Sequence, residues 1–234
     1  MATKPNYQNK DLIPNWSRIL IDTSVIIRTI NYAKNQAEAN KFVYETIRHL
    51  ADTKCQSEKG LNDRKFYVSA ISIAEILMKL DDKVKKSQMI IKAFNANNIT
   101  IVDFDEDVAN IFNSDFCDAM GVKAQNDILT RWGEEPSKKN RDALTNDIMI
   151  LASGLSVDID IVLCIDKEMY KIARECGINA VYVDEKYFNV SGSNYFEYYS
   201  TSSDKDFNVT LKQKPDSVDG LFLEAGEEEP DPIF

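Results

Sequence analysis

Short runs of β-branched and other apolar residues alternate along this chain with longer stretches in which apolar positions recur every three or four residues. The runs at 18–21 (RILI), 66–69 (FYVS), 99–102 (ITIV), 159–165 (IDIVLCI) and 180–183 (AVYV) have the length and composition of strands. Helical spacing marks 36–52, where Phe42, Tyr44, Ile47 and Leu50 share a face, and 84–96. Residues 71–80, 105–113, 138–155 and 167–176 also read as helices, the last stopping at Gly177, a natural terminator. Strands alternating with helices predict an α/β fold, a central parallel sheet with crossover helices. No internal repeat interrupts the order.

Punctuation divides the chain. Gly121, Gly133 and Pro136 mark 113–140 as an insertion of helix and loop. The pattern fades after Phe188. The stretch SGSNYFEYYSTSSDKDF has no clear period, and EAGEEEPDPIF is acidic and proline-bearing. The organisation expected is an N-terminal arm (1–16), one domain (17–188) and a polar, acidic extension (189–234) that is partly disordered.

Composition narrows the classes. With 234 residues and 44% hydrophobic content the chain can bury a full core. No apolar run approaches the roughly 18–20 residues that span a bilayer. The opening, MATKPNYQNKDLIPNW, lacks the apolar core of a secretory signal, so a cytoplasmic location is expected. Cys55, Cys117, Cys164 and Cys176 form no CxxC pair and read as reduced, mostly buried thiols. The single histidine, His49, excludes multi-histidine zinc sites and weakens any Ser-His-Asp arrangement. A net charge of −10 speaks against a nucleic-acid partner, but residues 190–234 hold ten acids and three lysines, a net of −7, leaving −3 for the rest.

Four acids stand out because each is embedded in apolar sequence. Asp22 ends RILI and Asp166 ends IVLCI, at the C-terminal tips of strands, where open α/β sheets bind ligands. Glu75 lies in AISIAEILMKL, on the first turn of the helix after FYVS. Asp147 shares a helical stripe with Leu144, Ile148 and Leu151. Buried carboxylates need a partner, a proton or a metal, and clustered ones repel unless a cation neutralises them. An oxygen-only set suits Mg²⁺ or Mn²⁺. Three of the four have a simpler reading as well. Ser72-Ile-Ala-Glu75 is a capping-box pattern, and Asp22 and Asp166 each precede a helix start as an N-cap would. Asp147, in mid-helix, has no such reading.

Taken together, RILIDTSVII, FYVSAISIAEILMKL, NDIMILASGL and IVLCIDKEMYKIARECGINAV resemble, in order and spacing, the segments of the PIN-domain family, which includes the VapC-like toxin ribonucleases. The resemblance covers about residues 17–188. It implies a three-layer α/β/α PIN-like domain in which Asp22, Glu75, Asp147 and Asp166 hold one or two Mg²⁺ or Mn²⁺ ions. Such ions lower the pKa of a bound water and neutralise the scissile phosphate. The reaction implied is RNA hydrolysis leaving a 5′-phosphate and a 3′-hydroxyl. Ser24, with Thr23 beside it, would hydrogen-bond the water or orient Asp22. Glu168 is either an outer-shell acid or a solvated helix start. Partners implied are RNA, an antitoxin-like protein and a second copy in a homodimer. The 113–140 insertion and the acidic extension make the chain longer than a minimal VapC-like toxin.

Phosphate contacts need Lys or Arg. Arg28, Lys138, Lys139 and Arg141, with Lys83, Lys85 and Lys86, are the candidates, and all read equally well as exposed helix charges. A haloacid-dehalogenase-like phosphatase also places Asp at the tip of its first strand, but it uses Asp-x-Asp, and here the third position is Ser24. A receiver domain wants an acidic pair before the first strand and a late Lys, neither of which is clear. No GxxxxGK or GxGxxG is present. The remaining alternative is a catalytically inactive PIN-like module that binds RNA or protein.

Overall fold

The computed structural model describes residues 16–35, 40–52, 54–57, 60–78, 88, 91–92, 94 and 98–183. Of the expected helix over 84–96, residues 88, 91, 92 and 94 are described and are helical, and the rest lies outside the described residues. So do Lys83, Lys85, Lys86, residues 1–15 and the extension from 184 onward.

Five strands form the main sheet: β1 (Arg18–Ile21), β4 (Lys65–Ser69), β5 (Ile99–Val102), β6 (Ile161–Cys164) and β7 (Ala180–Tyr182). Their order is β5-β4-β1-β6-β7, and every neighbouring pair is parallel. Ile19 of β1 lies between Phe66 of β4 and Ile161 of β6, so β1 is central. The chain runs outward from β1 through β4 to β5, then returns to the other side of β1 for β6 and β7. This reversal opens a crevice at the C-terminal ends of β1 and β6. Every residue of β6 and β7 is buried, as expected for parallel strands covered by helices on both faces.

Eight helices are described: α1 (Thr23–Asn35), α2 (Lys41–Asp52), α3 (Ala70–Met78), α4 (Glu106–Asp115), α5 (Cys117–Met120), α6 (Val122–Arg131), α7 (Lys138–Ser156) and α8 (Lys167–Glu175). The longest, α7, is capped by Ser137, whose side chain accepts from the Asn140 amide. It buries Leu144, Ile148 and Leu151 and packs against β4, α3, α4 and α8. Gly154 lets it lie close to β1: a Cβ there would sit 2.6 Å from Ile159 Cδ1 and 2.8 Å from Leu20 Cδ2. At the adjacent residue, the Ser153 and Ser69 hydroxyls share a buried hydrogen bond of 3.0 Å. Among the described residues, no helix is long and apolar enough to cross a membrane.

All five strands expected from the sequence form. Two other elements were not legible. Helix α1 follows β1 at once, and its β-branched Val25, Ile26, Ile27 and Ile30 obscure the helical period. A two-stranded antiparallel hairpin, β2 (Cys55–Ser57) with β3 (Gly60–Asn62), is short and polar. The 113–140 segment holds the end of α4, then α5 and α6; α5 packs on α4 and α6, and α4 and α6 pack on α7 as part of the domain wall. Of the cysteines, only Cys55 and Cys164 are buried; Cys176 is half-buried, Cys117 is exposed, and all four are free thiols.

A carboxylate also locks the N-terminal end of the β1–β6 seam. Asp160 Oδ2 is buried and accepts from Ser17 N (2.8 Å), Ser17 Oγ (2.5 Å) and Arg18 N (2.9 Å). Removing it orphans those donors, each worth about 1–3 kcal/mol when buried. Asp160→Ala is therefore expected to lose about 2–4 kcal/mol in urea unfolding. A loss under 1 kcal/mol would show that the lock does not hold the seam.

Candidate active site

The crevice between β1 and β6 is a cleft of about 410 Å³. Asp22, Glu75, Glu134, Asp147, Asp166 and Glu168 line it, with Thr23, Ser24, Asn140 and Asn146 among the polar neighbours and Ile27, Leu129 and Leu144 among the apolar ones. Among the described residues, no Lys, Arg or His lines the cleft. The four acids singled out by sequence thus meet in one place, delivered by four segments. Two further acids, Glu134 and Glu168, join them.

Each acid is held differently. Asp22 directly follows β1; its amide donates to Leu163 O at 3.0 Å, continuing the ladder with β6. Its Oδ2 accepts from Ser24 N at 3.1 Å and from the Ser24 hydroxyl in a short hydrogen bond. The same hydroxyl accepts from Ile165 N at 3.1 Å. Ser24 therefore ties the tips of β1 and β6 together, and its only proton is committed to Asp22. The arrangement gives Ser24 an orienting part rather than direct donation to a substrate water.

Glu75 lies in the second turn of α3, which begins at Ala70, not in the first turn. The capping box does not form: Ser69 Oγ accepts from Ile71 N at 3.2 Å, and Ser72 lies inside the helix. Glu75 instead faces the cleft, where Oε2 accepts from Thr23 Oγ1 (2.7 Å) and Oε1 from Asn146 Nδ2 (3.0 Å). Asp166 does cap α8, its Oδ1 accepting from Glu168 N (2.9 Å) and Met169 N (3.0 Å), and it lines the cleft as well. The helix dipole favours a negative charge at this position.

Crowding shows in the acidities. Burial pushes Asp22 up to about 7 against the hydrogen bond from Ser24, and the Asp166 charge adds to the rise. Asp147 is raised well above the usual carboxylate range, first by burial and then by the charges of Asp166, Asp22, Glu75 and Glu168. It keeps some solvent contact at the mouth of the cleft but is enclosed by protein elsewhere. Glu168 is pushed up to about 7 by burial, by the Asp166 charge and by a hydrogen bond with Asp166. It is a half-buried member of the acid wall, which replaces the expectation of a solvated helix start.

The donor set is all oxygen, which suits hard divalent cations. Among the described residues, however, no group of three or more His, Cys, Asp or Glu side chains converges closely enough to hold an ion. The chemistry of the wall fits Mg²⁺ or Mn²⁺, and closing on an ion requires side-chain rotation. Thr23, Asn146 and Ser24 already engage two of the carboxylates.

The basic residues expected to meet RNA lie elsewhere. Arg28 is exposed on α1 and reaches Asn40 Oδ1 at 3.3 Å. Arg141 binds Asn126 Oδ1 (3.0 Å) and Pro136 O (2.8 Å), so it fastens α7 to α6 and the loop between them. Lys138 and Lys139 are exposed on the first turn of α7, next to the cleft-lining Asn140. The 113–140 segment contributes more directly, through Leu129 and Glu134 in the lining. Trp132 Nε1 and Arg131 Nη2 both donate to Glu175, at 2.8 and 3.0 Å, and Lys167 Nζ lies 3.6 Å from Glu134. These contacts fasten α6 and its following loop to α8.

No family model matches the chain, and no curated protein matches it by sequence. Among solved structures it is similar to a chain of VapBC2 from Rickettsia felis bound to a DNA fragment from their promoter. The two are 14% identical with a TM-score of 0.42, over 70% of this chain and 97% of that one. It is also similar to a chain of DNA-bound VapBC from Salmonella typhimurium, at 17% identity and a TM-score of 0.40, over 70% of this chain and 96% of that one.

The raised acidities set a pH dependence. A carboxyl whose folded pKa lies above its unfolded value keeps its proton in the native state while the unfolded chain releases it. Its cost to stability appears as pH rises above about 4 and grows until the folded pKa is passed. Without metal, the melting temperature should fall between pH 5 and pH 8. Asp147→Asn removes one of the crowded charges and should melt roughly 3–10 °C above wild type at pH 8 in EDTA, with little difference at pH 5. A variant that melts lower than wild type at pH 8 would mean that Asp147 is a stabilising contact rather than a crowded acid.

Proposed function

We propose that this chain is a metal-dependent nuclease of the PIN type, an endoribonuclease that hydrolyses RNA phosphodiester bonds. The observation that supports it is the cleft itself. Four acids from four separate segments, Asp22, Glu75, Asp147 and Asp166, face one crevice at the sheet's switch point, with no basic side chain among the described lining residues. A fold does not maintain such repulsion for stability, since apolar residues of similar volume would pack there at lower cost.

Asp22, Glu75, Asp147 and Asp166 would hold one or two Mg²⁺ or Mn²⁺ ions. The ions supply an activated water and neutralise charge on the phosphate. Ser24 keeps Asp22 in place across the β1–β6 seam. Lys138 and Lys139, exposed at the start of α7 beside the cleft-lining Asn140, are the cations assigned to the flanking RNA backbone. The resemblance of the four acid-bearing segments to VapC-like toxins adds the finer reading, a toxin paired with an antitoxin-like protein. The second reading is a catalytically inactive module that binds RNA or protein. It is favoured by one observation, that the described acids do not converge on a single point.

Incubation of a mixed-sequence single-stranded RNA with the full chain separates the two. Cleavage in Mn²⁺ or Mg²⁺ but not in EDTA is expected, with 5′-phosphate ends and a loss of about a hundredfold or more in Asp147→Asn. Cutting that persists in EDTA or in Asp147→Asn removes the carboxylate site from the chemistry. A folded chain that binds neither ion leaves the binding module as the function.

A further inference from the structure

We infer that Asn146 is a positioning residue of the acidic cleft: with Thr23 it clamps the carboxylate of Glu75 and so fixes the spacing between Asp22, Glu75 and Asp147. The inference rests on the metal-site reading above and adds to it a neutral residue that the sequence did not single out.

The geometry is specific. A carboxylate only accepts hydrogen bonds, so the side chains facing it must donate. Glu75 receives one bond on each oxygen, from Thr23 Oγ1 at 2.7 Å and from Asn146 Nδ2 at 3.0 Å. Two bonds on two oxygens fix the plane of the group, where a single bond would leave it free to turn. The donors come from different elements. Thr23 opens α1 directly after Asp22, and Asn146 precedes Asp147 on α7. Glu75 is thereby joined, one residue removed, to two of the other three acids. Asp147 feels the Glu75 charge, so an unclamped Glu75 would turn away from it and towards solvent. Thr23 is buried and Asn146 is half-buried in the lining of the cleft. Both donors are neutral, so they hold Glu75 without cancelling the negative charge that a cation needs. An Arg or Lys in either place would hold the carboxylate and compete with the ion.

Direct Mn²⁺ titration of the full chain, read by the binding itself and not by cleavage, is the test. Asn146→Ala and Thr23→Val should each weaken Mn²⁺ about tenfold, although neither removes an acid. Thr23→Ser, which keeps the hydroxyl, should stay within about threefold of wild type. Unchanged Mn²⁺ affinity in Asn146→Ala, or Thr23→Ser behaving as Thr23→Val, overturns the clamp. An effect of Asn146→Ala on KM for RNA alone would also overturn it, by making Asn146 a substrate contact. A parallel series in EDTA keeps the inference separate from the proposed function. Asn146→Ala should raise the unfolding constant about fivefold in wild type and leave it unchanged in a Glu75→Ala background. If wild type binds no Mn²⁺, the metal-site reading fails. The clamp then stands or falls on this coupling alone: dependence on Glu75 sustains it, and equal effects in both backgrounds overturn it.

Discussion

Like charges brought together in a poorly solvated space are the constraint around which this domain is arranged. Among the described residues, six carboxylates share one cleft of about 410 Å³ with no basic side chain in its lining, and Lys167 reaches Glu134 at its edge. Two features make the arrangement tolerable. Burial and mutual repulsion push Asp22, Asp147 and Glu168 upward, towards their neutral forms. Neutral donors, namely Ser24, Thr23, Asn146 and the amides at the start of α8, satisfy oxygens without cancelling their charge. What is left is a negative potential that attracts a cation, held on a scaffold stable enough to maintain it.

The scaffold follows from sheet topology. Because the strand order reverses at β1, the tips of β1 and β6 lie side by side and carry Asp22 and Asp166 into the same crevice. Glu75 arrives from the helix after β4, the neighbour of β1 on its other side. Asp147 arrives on α7, which packs against β4 and α3 and closes on β1 at Gly154. The 113–140 segment supplies the remaining wall. Its Trp132 and Arg131 grip Glu175, and its Glu134 faces the cleft.

Much of this was legible in the sequence because buried parallel strands announce themselves. RILI, FYVS and IVLCI are short apolar runs, and an acid that ends such a run stands at a strand tip whatever surrounds it. Asp147 was legible for a related reason, as a charge on the apolar stripe of a helix. Helix α1 was not, because its β-branched residues are compatible with strand as well as helix. The choice between cap and cleft residue could not be made from local pattern. Asp166 is both at once, while Glu75 lies a turn too deep in α3 to cap it. Glu134, Asn146 and the inward turn of Glu168 depend on how α6, α7 and α8 meet, which no local periodicity encodes. The surface lysines and arginines likewise carried no signal of their distance from the cleft.

The β1–β6 seam is stitched at both ends by acids that accept hydrogen bonds, Asp160 at one end and Asp22 through Ser24 at the other. Between the stitches the backbone ladder is wholly enclosed. A pair of strands fastened this way cannot fray from either terminus, so its amides exchange with solvent only when the whole domain opens. The two strand-tip acids therefore sit at the margin of the slowest-exchanging unit of the molecule.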